Sequence, residues 1–298
     1  MTDGPDGRGD GDGWIDCELG HRHWGLVGAA GLLLHRPAGT GRQVLLQHRA
    51  TWSHHGGTWG LLGGARHRGE PAVAAALREA AEEGGLSADG LEVQGRYDDD
   101  HGGWSYATVL VSGSAATAAR PTGGESIDVA WVDADDVAGT DLHPGFAASW
   151  PVLRPLLHPL TLVVDAANVV GSRPDGWWRD RPGAARRLVA ACGSLASAGV
   201  PAADVPDEAG MTALSHLWPR VVVVLEGAAR VATDTPAPGV TVVAAAASGD
   251  DSVVVVAGDR VADGPVLVVT ADRPLRARVA AVGAQAVGPR WLTDRLSP

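Results

Sequence analysis

Four valine-rich runs in the second half of the chain restrict its fold more than any other feature. "LTLVVD", "RVVVVL", "GVTVVA" and "PVLVVT" fall within residues 160–270. Each is apolar without alternation over the length of a strand, so both faces of each strand must be buried. Between them stand "GAARRLVAACGSLASAG" and "LRARVAAVGA", which read as helices, and a short strand "AVG" precedes a terminal helix "PRWLTDRL". Buried strands alternating with helices predict a parallel sheet covered on both sides. One stretch opposes its own propensity. "SVVVVAGD" is β-branched and would favour a strand. Successive parallel strands, however, need a crossover between them, and "SGDD" supplies helix N-cap residues. A helix is therefore predicted there.

The first half has a different texture. Strand-like segments "GLVGAAGLLLHR", "QVLLQHRA", "LEVQGRYDDD", "WSYATVLVSG" and "DVAWVDADDV" are separated by Gly-rich turns. One alanine-rich helix is predicted over 71–83, opened by Pro71. The 298 residues thus read as two domains, an α+β domain with a mixed sheet over 19–158 and an α/β domain over 159–298. "FAASWPVLRPLLHP" forms a helical connector, and the acidic, Gly-rich residues 1–18 read as a disordered leader.

Composition excludes several classes. No apolar run reaches the roughly 20 residues of a membrane span, and no signal-peptide core is visible, so a cytoplasmic location is expected. A net charge of −11 argues against non-specific nucleic-acid binding. Every basic side chain other than histidine is arginine. Cys17 and Cys192 form no CxxC pair, so neither a disulfide framework nor a thiolate zinc site is expected. His21 and His23 alternate, but without a third ligand they favour no metal site.

Within "GARHRGEPAVAAALREAAEEGGL" (64–86), Glu79, Glu82 and Glu83 share one helical face. Like charges so placed destabilise a helix unless arginine or a divalent ion offsets them. All-oxygen ligands suit Mg2+ or Mn2+ better than zinc. A solvated helix would explain "REAAEE" alone, but the longer spacing is far more specific. Gly64, Glu70, Arg78, Glu79, Ala80, Glu82, Glu83, Gly85 and Leu86 occupy every fixed place of a 23-residue pattern that resembles the Nudix box. Ala80 is small for its apolar position, and Leu62 stands where a proline is usual.

The resemblance covers 24–159. It implies an α/β/α sandwich and hydrolysis of a diphosphate joined to another moiety, usually a nucleoside, with Mg2+ or Mn2+ activating phosphorus and water. It also implies roles by position. Glu79, Glu82, Glu83 and the Gly63 carbonyl would hold metal, and Glu79 or Glu82 would accept a proton. Arg78 would orient a carboxylate, and Glu70 would brace the loop. Glu125 would be a distal metal ligand, with Asp128 as the alternative. His54 and His55 either touch substrate or are ordinary loop residues. Trp59 and Trp104 either stack on a base or fill the core.

In the second half, polar residues follow the predicted strands: Asp165 and Asn168, Glu226, Asp250 and Asp251, and Asp272. Ligands of open parallel sheets bind beyond those strand ends. "VVDAANVVGSRPDGWW", "SGDD" and "VVTADRPLRARVAAVGAQAVGPRWL" resemble the NYN branch of PIN-like nucleases. The resemblance implies that Asp165, Asp250 and Asp272 hold metal, supported by Asn168 and Asp251. "GWWRDRPGAARR" would suit single-stranded RNA, although a helix start with buried tryptophans explains it nearly as well. Three functions compete: a nucleotide pyrophosphohydrolase, an RNA-processing enzyme that trims 5′ ends and cuts RNA, and a nucleotide-sensing regulator with an inactive second domain.

Overall fold

The computed structural model describes residues 9–174 and 176–296, and the chain divides into two compact units between Leu157 and His158.

In the first unit, β1 (Trp14–Asp16) and β2 (Arg22–Trp24) form an antiparallel hairpin. The main sheet contains β3 (Ala29–Ala38), β4 (Gly41–Arg49), β5 (Trp59–Gly60), β6 (Leu62–Ala65), β7 (Glu92–Asp100), β8 (Ser105–Ser112) and β9 (Ser126–Asp133). It is mixed: β3 runs parallel to β8 but antiparallel to β4 and β6. Antiparallel pairs join β7 to β8, β4 to β9 and β4 to β5. Helix α1 (Ala72–Gly84) lies against β3 and β6, burying Ala72, Ala75, Ala76 and Ala80 at helical spacing against Leu32, Leu45, Leu62 and Val109. Small side chains there let the helix approach the sheet closely. Gly85 ends it in the left-handed conformation (φ 60°), its N–H bonding the carbonyls of Ala80 and Ala81. Helix α2 (Pro144–Leu153) closes the unit.

The disordered leader expected over 1–18 is corrected for 9–18. Residues 1–8 lie outside the described ones, whereas 9–18 are folded: Trp14–Asp16 is a strand and Cys17 is buried. Gly13 O and Gly11 O accept hydrogen bonds from Gly25 N and Leu26 N, so the glycines that suggested disorder instead permit close backbone pairing.

The second unit holds a five-stranded, all-parallel sheet. Its strands are β10 (Thr161–Asp165), β13 (Arg220–Leu225), β14 (Val240–Ala244), β15 (Val266–Val269) and β16 (Gln285–Val287), in the spatial order β14-β13-β10-β15-β16. A two-residue pair, β11 (Val200–Pro201) with β12 (His216–Leu217), interrupts that series in sequence. Helices α3 (Ala166–Gly171), α4 (Arg181–Ala198), α5 (Gly249–Arg260), α6 (Arg273–Ala281) and α7 (Pro289–Thr293) complete it. Neighbouring Leu162, Val163 and Val164 point to opposite faces and are all fully buried, as the uninterrupted runs require. Helices α5 and α6 cover one face through Val253, Ala257, Leu275 and Val279.

The valine-rich crossover is helical. Ser248 caps α5 by accepting from Asp251 N, Asp250 and Asp251 lie in its first turn, and Arg260 lies in its last. The connection between parallel strands outweighs valine's strand preference. No helix among the described residues is long and apolar enough to cross a membrane.

Candidate active site

Arg78 organises the carboxylates of the first unit. Its Nε and Nη2 donate to the two oxygens of Glu70 (2.9 and 3.0 Å), a bidentate pair. Nη1 donates to Glu79 Oε1 (2.8 Å) and to Glu82 Oε2 (3.1 Å), and Nη2 also reaches Ala65 O (3.0 Å). One guanidinium thus spans the loop before α1 and two successive turns of the helix. Glu70 also accepts from His67 N (2.9 Å). Burial pushes the Glu70 carboxyl upward, but the Arg78 bonds and the His67 amide outweigh it and hold the group below its ordinary range.

Glu79 and Glu83 differ from Glu70. Burial is the largest influence on Glu79 and raises it despite Arg78, with the charges of Glu82 and Glu125 adding to the rise. Glu83 faces inward, accepts from Gly63 N (2.9 Å) and hydrogen-bonds to Gln47. Burial pushes its carboxyl up to about 7, aided by the charges of Glu79 and Glu125. Gln47 is fully buried, donates to Ser126 Oγ (2.7 Å), and leaves its Oε1 without a partner among the described residues.

The glycines before the helix are there for lack of room. A Cβ on Gly63 would lie 2.5 Å from Ala30 O and Gly31 Cα, both backbone atoms. A Cβ on Gly64 would lie 2.6 Å from Glu79 Oε1. Strand β6 therefore passes directly beneath the Glu79 carboxylate. At the other end, Thr122 fastens the 120–125 loop to α1 by donating to Glu82 O through Oγ1 (2.6 Å) and to Glu83 O through its N–H (3.1 Å). That loop carries Glu125 within electrostatic reach of Glu79 and Glu83. Asp128 is exposed on β9, and its carboxylate accepts from Val129 N.

The sequence of the first unit is similar to known proteins. A family model described as the NUDIX domain matches residues 25–154. The "Putative 8-oxo-dGTP diphosphatase 3" of Mycobacterium tuberculosis is 49% identical over 156 residues, covering 49% of this chain and 70% of that protein. The chain belongs to the Nudix family. It is accordingly a hydrolase of phosphoric anhydride bonds. A "Nucleoside triphosphate pyrophosphatase/Nudix hydrolase fusion protein" of Bifidobacterium longum is 42% identical over 146 residues, 47% of this chain and 30% of that protein. A solved Nudix hydrolase from M. smegmatis, RenU, shares 46% identity over 49% of this chain and 94% of its own, with a TM-score of 0.47. The family match ends at residue 154, so the second unit lies outside it.

Of the two tryptophans weighed as base-stacking groups, Trp104 is a core residue, buried with its Nε1 on Gly25 O (3.0 Å), and Trp59 stacks on His48 (4.7 Å). His54 and His55 are joined by His143, which the sequence did not single out; its ring lies 4.8 Å from that of His55. Burial lowers His143 to about 4, with Arg49 and the two histidines adding to the drop. Gln47 was also missed, since nothing in "QVLLQHRA" marks one glutamine as facing the carboxylates.

In the second unit, Asp165 ends central β10, accepting from Thr270 Oγ1 (2.9 Å) and Asn168 N (3.1 Å). Asn168 Oδ1 accepts from Ala271 N, and Asp272 caps α6 through Leu275 N. Glu226 accepts from Gly249 N. Burial raises Asp165, and the charges of Asp250 and Glu226 raise it further. Burial likewise raises Asp250, reinforced by Asp272 and Glu226. These four carboxylates therefore share one edge of the sheet, where the strand order reverses on either side of β10. Asp251 is held by Arg278 instead. In the "GWW" segment Trp178 is exposed and Trp177 partly so, correcting the reading of a helix start with buried tryptophans.

Proposed function

We propose that the first unit is a Mg2+- or Mn2+-dependent pyrophosphohydrolase acting on a nucleoside di- or triphosphate or a related nucleotide. The observation that carries this is the Glu79, Glu82 and Glu83 set on α1, with Glu79 against Gly64 and Glu83 on the Gly63 N–H of β6. A divalent cation fits these residues: the donors are all oxygen, no cationic side chain among the described residues pairs with the buried Glu83 carboxyl, and Gln47, its hydrogen-bond partner, leaves Oε1 unpaired among them. Glu79, Glu82, Glu83, the Gly63 carbonyl and Glu125 would hold it. Such an ion supplies charge stabilisation at phosphorus and lowers the pKa of water. Arg78 ties Glu79 and Glu82 together through one nitrogen, and Glu70 fixes Arg78. Glu79 or Glu82 would take the proton of the attacking water. Similarity to the mycobacterial diphosphatase favours an oxidised purine nucleoside triphosphate among the substrates to be tested first.

For the second unit, residues 159–298, we infer a PIN-like domain of the NYN type. The parallel order β14-β13-β10-β15-β16, with Asp165, Asp250 and Asp272 gathered at the reversal point and Asn168 orienting the next loop, supports that reading. A ribonuclease acting on single-stranded RNA follows from it; a nucleotide-sensing regulator with an inactive second domain is the alternative.

The full chain, supplied with Mg2+ and a nucleotide panel, should release phosphate or pyrophosphate, and Glu82→Gln should not. Equal behaviour of the two proteins on every substrate would sink the first reading. The same preparation with Mn2+ and 5′-labelled single-stranded RNA tests the second. Cleavage lost in Asp165→Asn but kept in Glu82→Gln supports it, and intact RNA refutes ribonuclease activity.

A further inference from the structure

Two turns at one end of the first unit bring together four metal-binding side chains that the Nudix chemistry leaves unused. Cys17, His21 and His23 come from the β1–β2 hairpin, and His101 comes from the turn between β7 and β8. One ligand atom from each lies within 4.8 Å of all the others. Cys17 Sγ is 3.9 Å from His101 Nδ1, and the His23 and His101 rings are 4.7 Å apart. A tetrahedral zinc ion, with bonds of 2.0–2.3 Å, needs ligand atoms roughly 3.3–3.6 Å from one another, which is a small contraction from this geometry.

The surroundings are built as a metal site's surroundings are. His101 turns Nδ1 to Cys17 and Nε2 to Asp99 Oδ2 (3.3 Å), so a carboxylate orients the ring from behind. His23 lies flat against Trp104 (3.8 Å between centroids, 7° between planes), and its buried Nε2 has no hydrogen-bond partner among the described residues. An orphaned buried ring nitrogen is unfavourable unless something accepts its lone pair. The two turns are fastened by Glu18 N donating to Gly102 O (3.0 Å), and Cys17 N donates to His21 O (2.9 Å). Neither turn contributes any of the Nudix carboxylates.

We propose that Cys17, His21, His23 and His101 form a zinc site. One sulfur and three nitrogens are the donor set of zinc rather than of magnesium. Four protein ligands leave no position for water or substrate, so the ion is structural. It clamps the N-terminal hairpin to the β7–β8 turn and fixes Trp104, which lines a cavity of about 420 Å³ with Arg66, Arg96, Asp98 and Asp100. Binding displaces the Cys17 thiol proton to solvent and leaves the histidines neutral.

The test uses the full chain, stripped with a chelator and titrated with Co2+ as a spectroscopic substitute for zinc. One equivalent should produce a thiolate-to-cobalt charge-transfer band with tetrahedral ligand-field absorption. Cobalt on the Nudix carboxylates gives no thiolate band, so the two sites are distinguished in one protein. Cys17→Ser should remove the band and Cys192→Ser should keep it. Asp99→Asn, which leaves all four ligands in place, should weaken zinc by roughly 10- to 100-fold in a chelator competition. Circular dichroism verifies that each variant is folded, and if Cys17→Ser is not, the Asp99→Asn titration decides. Absence of the band in the wild type, its persistence in folded Cys17→Ser, or unchanged zinc affinity in Asp99→Asn overturns the proposal.

Discussion

Arg78→Ala is expected to lower the unfolding free energy by roughly 2–4 kcal/mol, measured by urea denaturation without added metal. The side chain does more than balance charge. It makes the bidentate bond to Glu70, bonds to Glu79 and Glu82, and the bond to Ala65 O, and its removal strands two largely buried carboxylates. Glu79, already raised by burial, loses the group that opposes the rise. Hydrolase activity should fall by roughly 10- to 100-fold, because Glu79 and Glu82 are no longer held by one guanidinium. Arg78→Lys should recover little, since an ammonium cannot reproduce the planar fork on Glu70. An unchanged denaturation midpoint in Arg78→Ala would show that the network is ornamental.

Glu83→Gln is expected to separate stability from activity. The Glu83 carboxyl is raised from 4.5 to about 7 in the folded protein, so its contribution to stability is fully present below pH 4.5 and is lost as pH rises through 7. At pH 8 the metal-free protein must hold it ionised, and the substitution should stabilise that protein by roughly 1–3 kcal/mol. Gly63 N keeps an acceptor in the amide oxygen. His143, lowered to about 4, works in the opposite sense: its contribution is present above pH 6.5 and is lost as pH falls toward 4. The two trends offset each other between pH 4.5 and 6.5, so the variant-minus-wild-type difference is the quantity to follow. With Mg2+ the order should invert, the wild type gaining stability that the variant lacks. Activity should fall by roughly 10²–10⁴-fold, the equivalent of several kcal/mol of transition-state stabilisation. Greater stability of the wild type at pH 8 without metal would contradict this account.

What could be read in the sequence was whatever rests on local spacing or uninterrupted burial. The Nudix-box glutamates, the glycines beneath them and the valine-rich strands follow from patterns a few residues long. The α5 helix was legible only by combining its Ser248 cap with the topology around it, since its valines alone point to a strand. Contacts made by chain return were not legible. Nothing near Cys17 announces His101, because 84 positions separate them and the link is a turn-to-turn hydrogen bond. Gln47 faces Glu83 for the same kind of reason, through strand-to-helix packing. The ordered hairpin after residue 8 was masked by glycine and aspartate, which resemble a flexible tail until their backbone partners are known.

The position of β10 bears on how the second unit can be made. It is the first strand of that unit to leave the ribosome and the central one in the finished sheet, with β13 on one side and β15 on the other. Its backbone N–H and C=O groups must therefore wait for Arg220–Leu225, and then for Val266–Val269, before both flanks are paired. At translation rates of roughly 5–20 residues per second that is an exposure of seconds. In the first unit β3 waits likewise for β8, but that partner is complete by Ser112, before β10 is synthesised. Nascent chains should consequently acquire the Nudix carboxylate cluster while the other acidic edge is still unassembled.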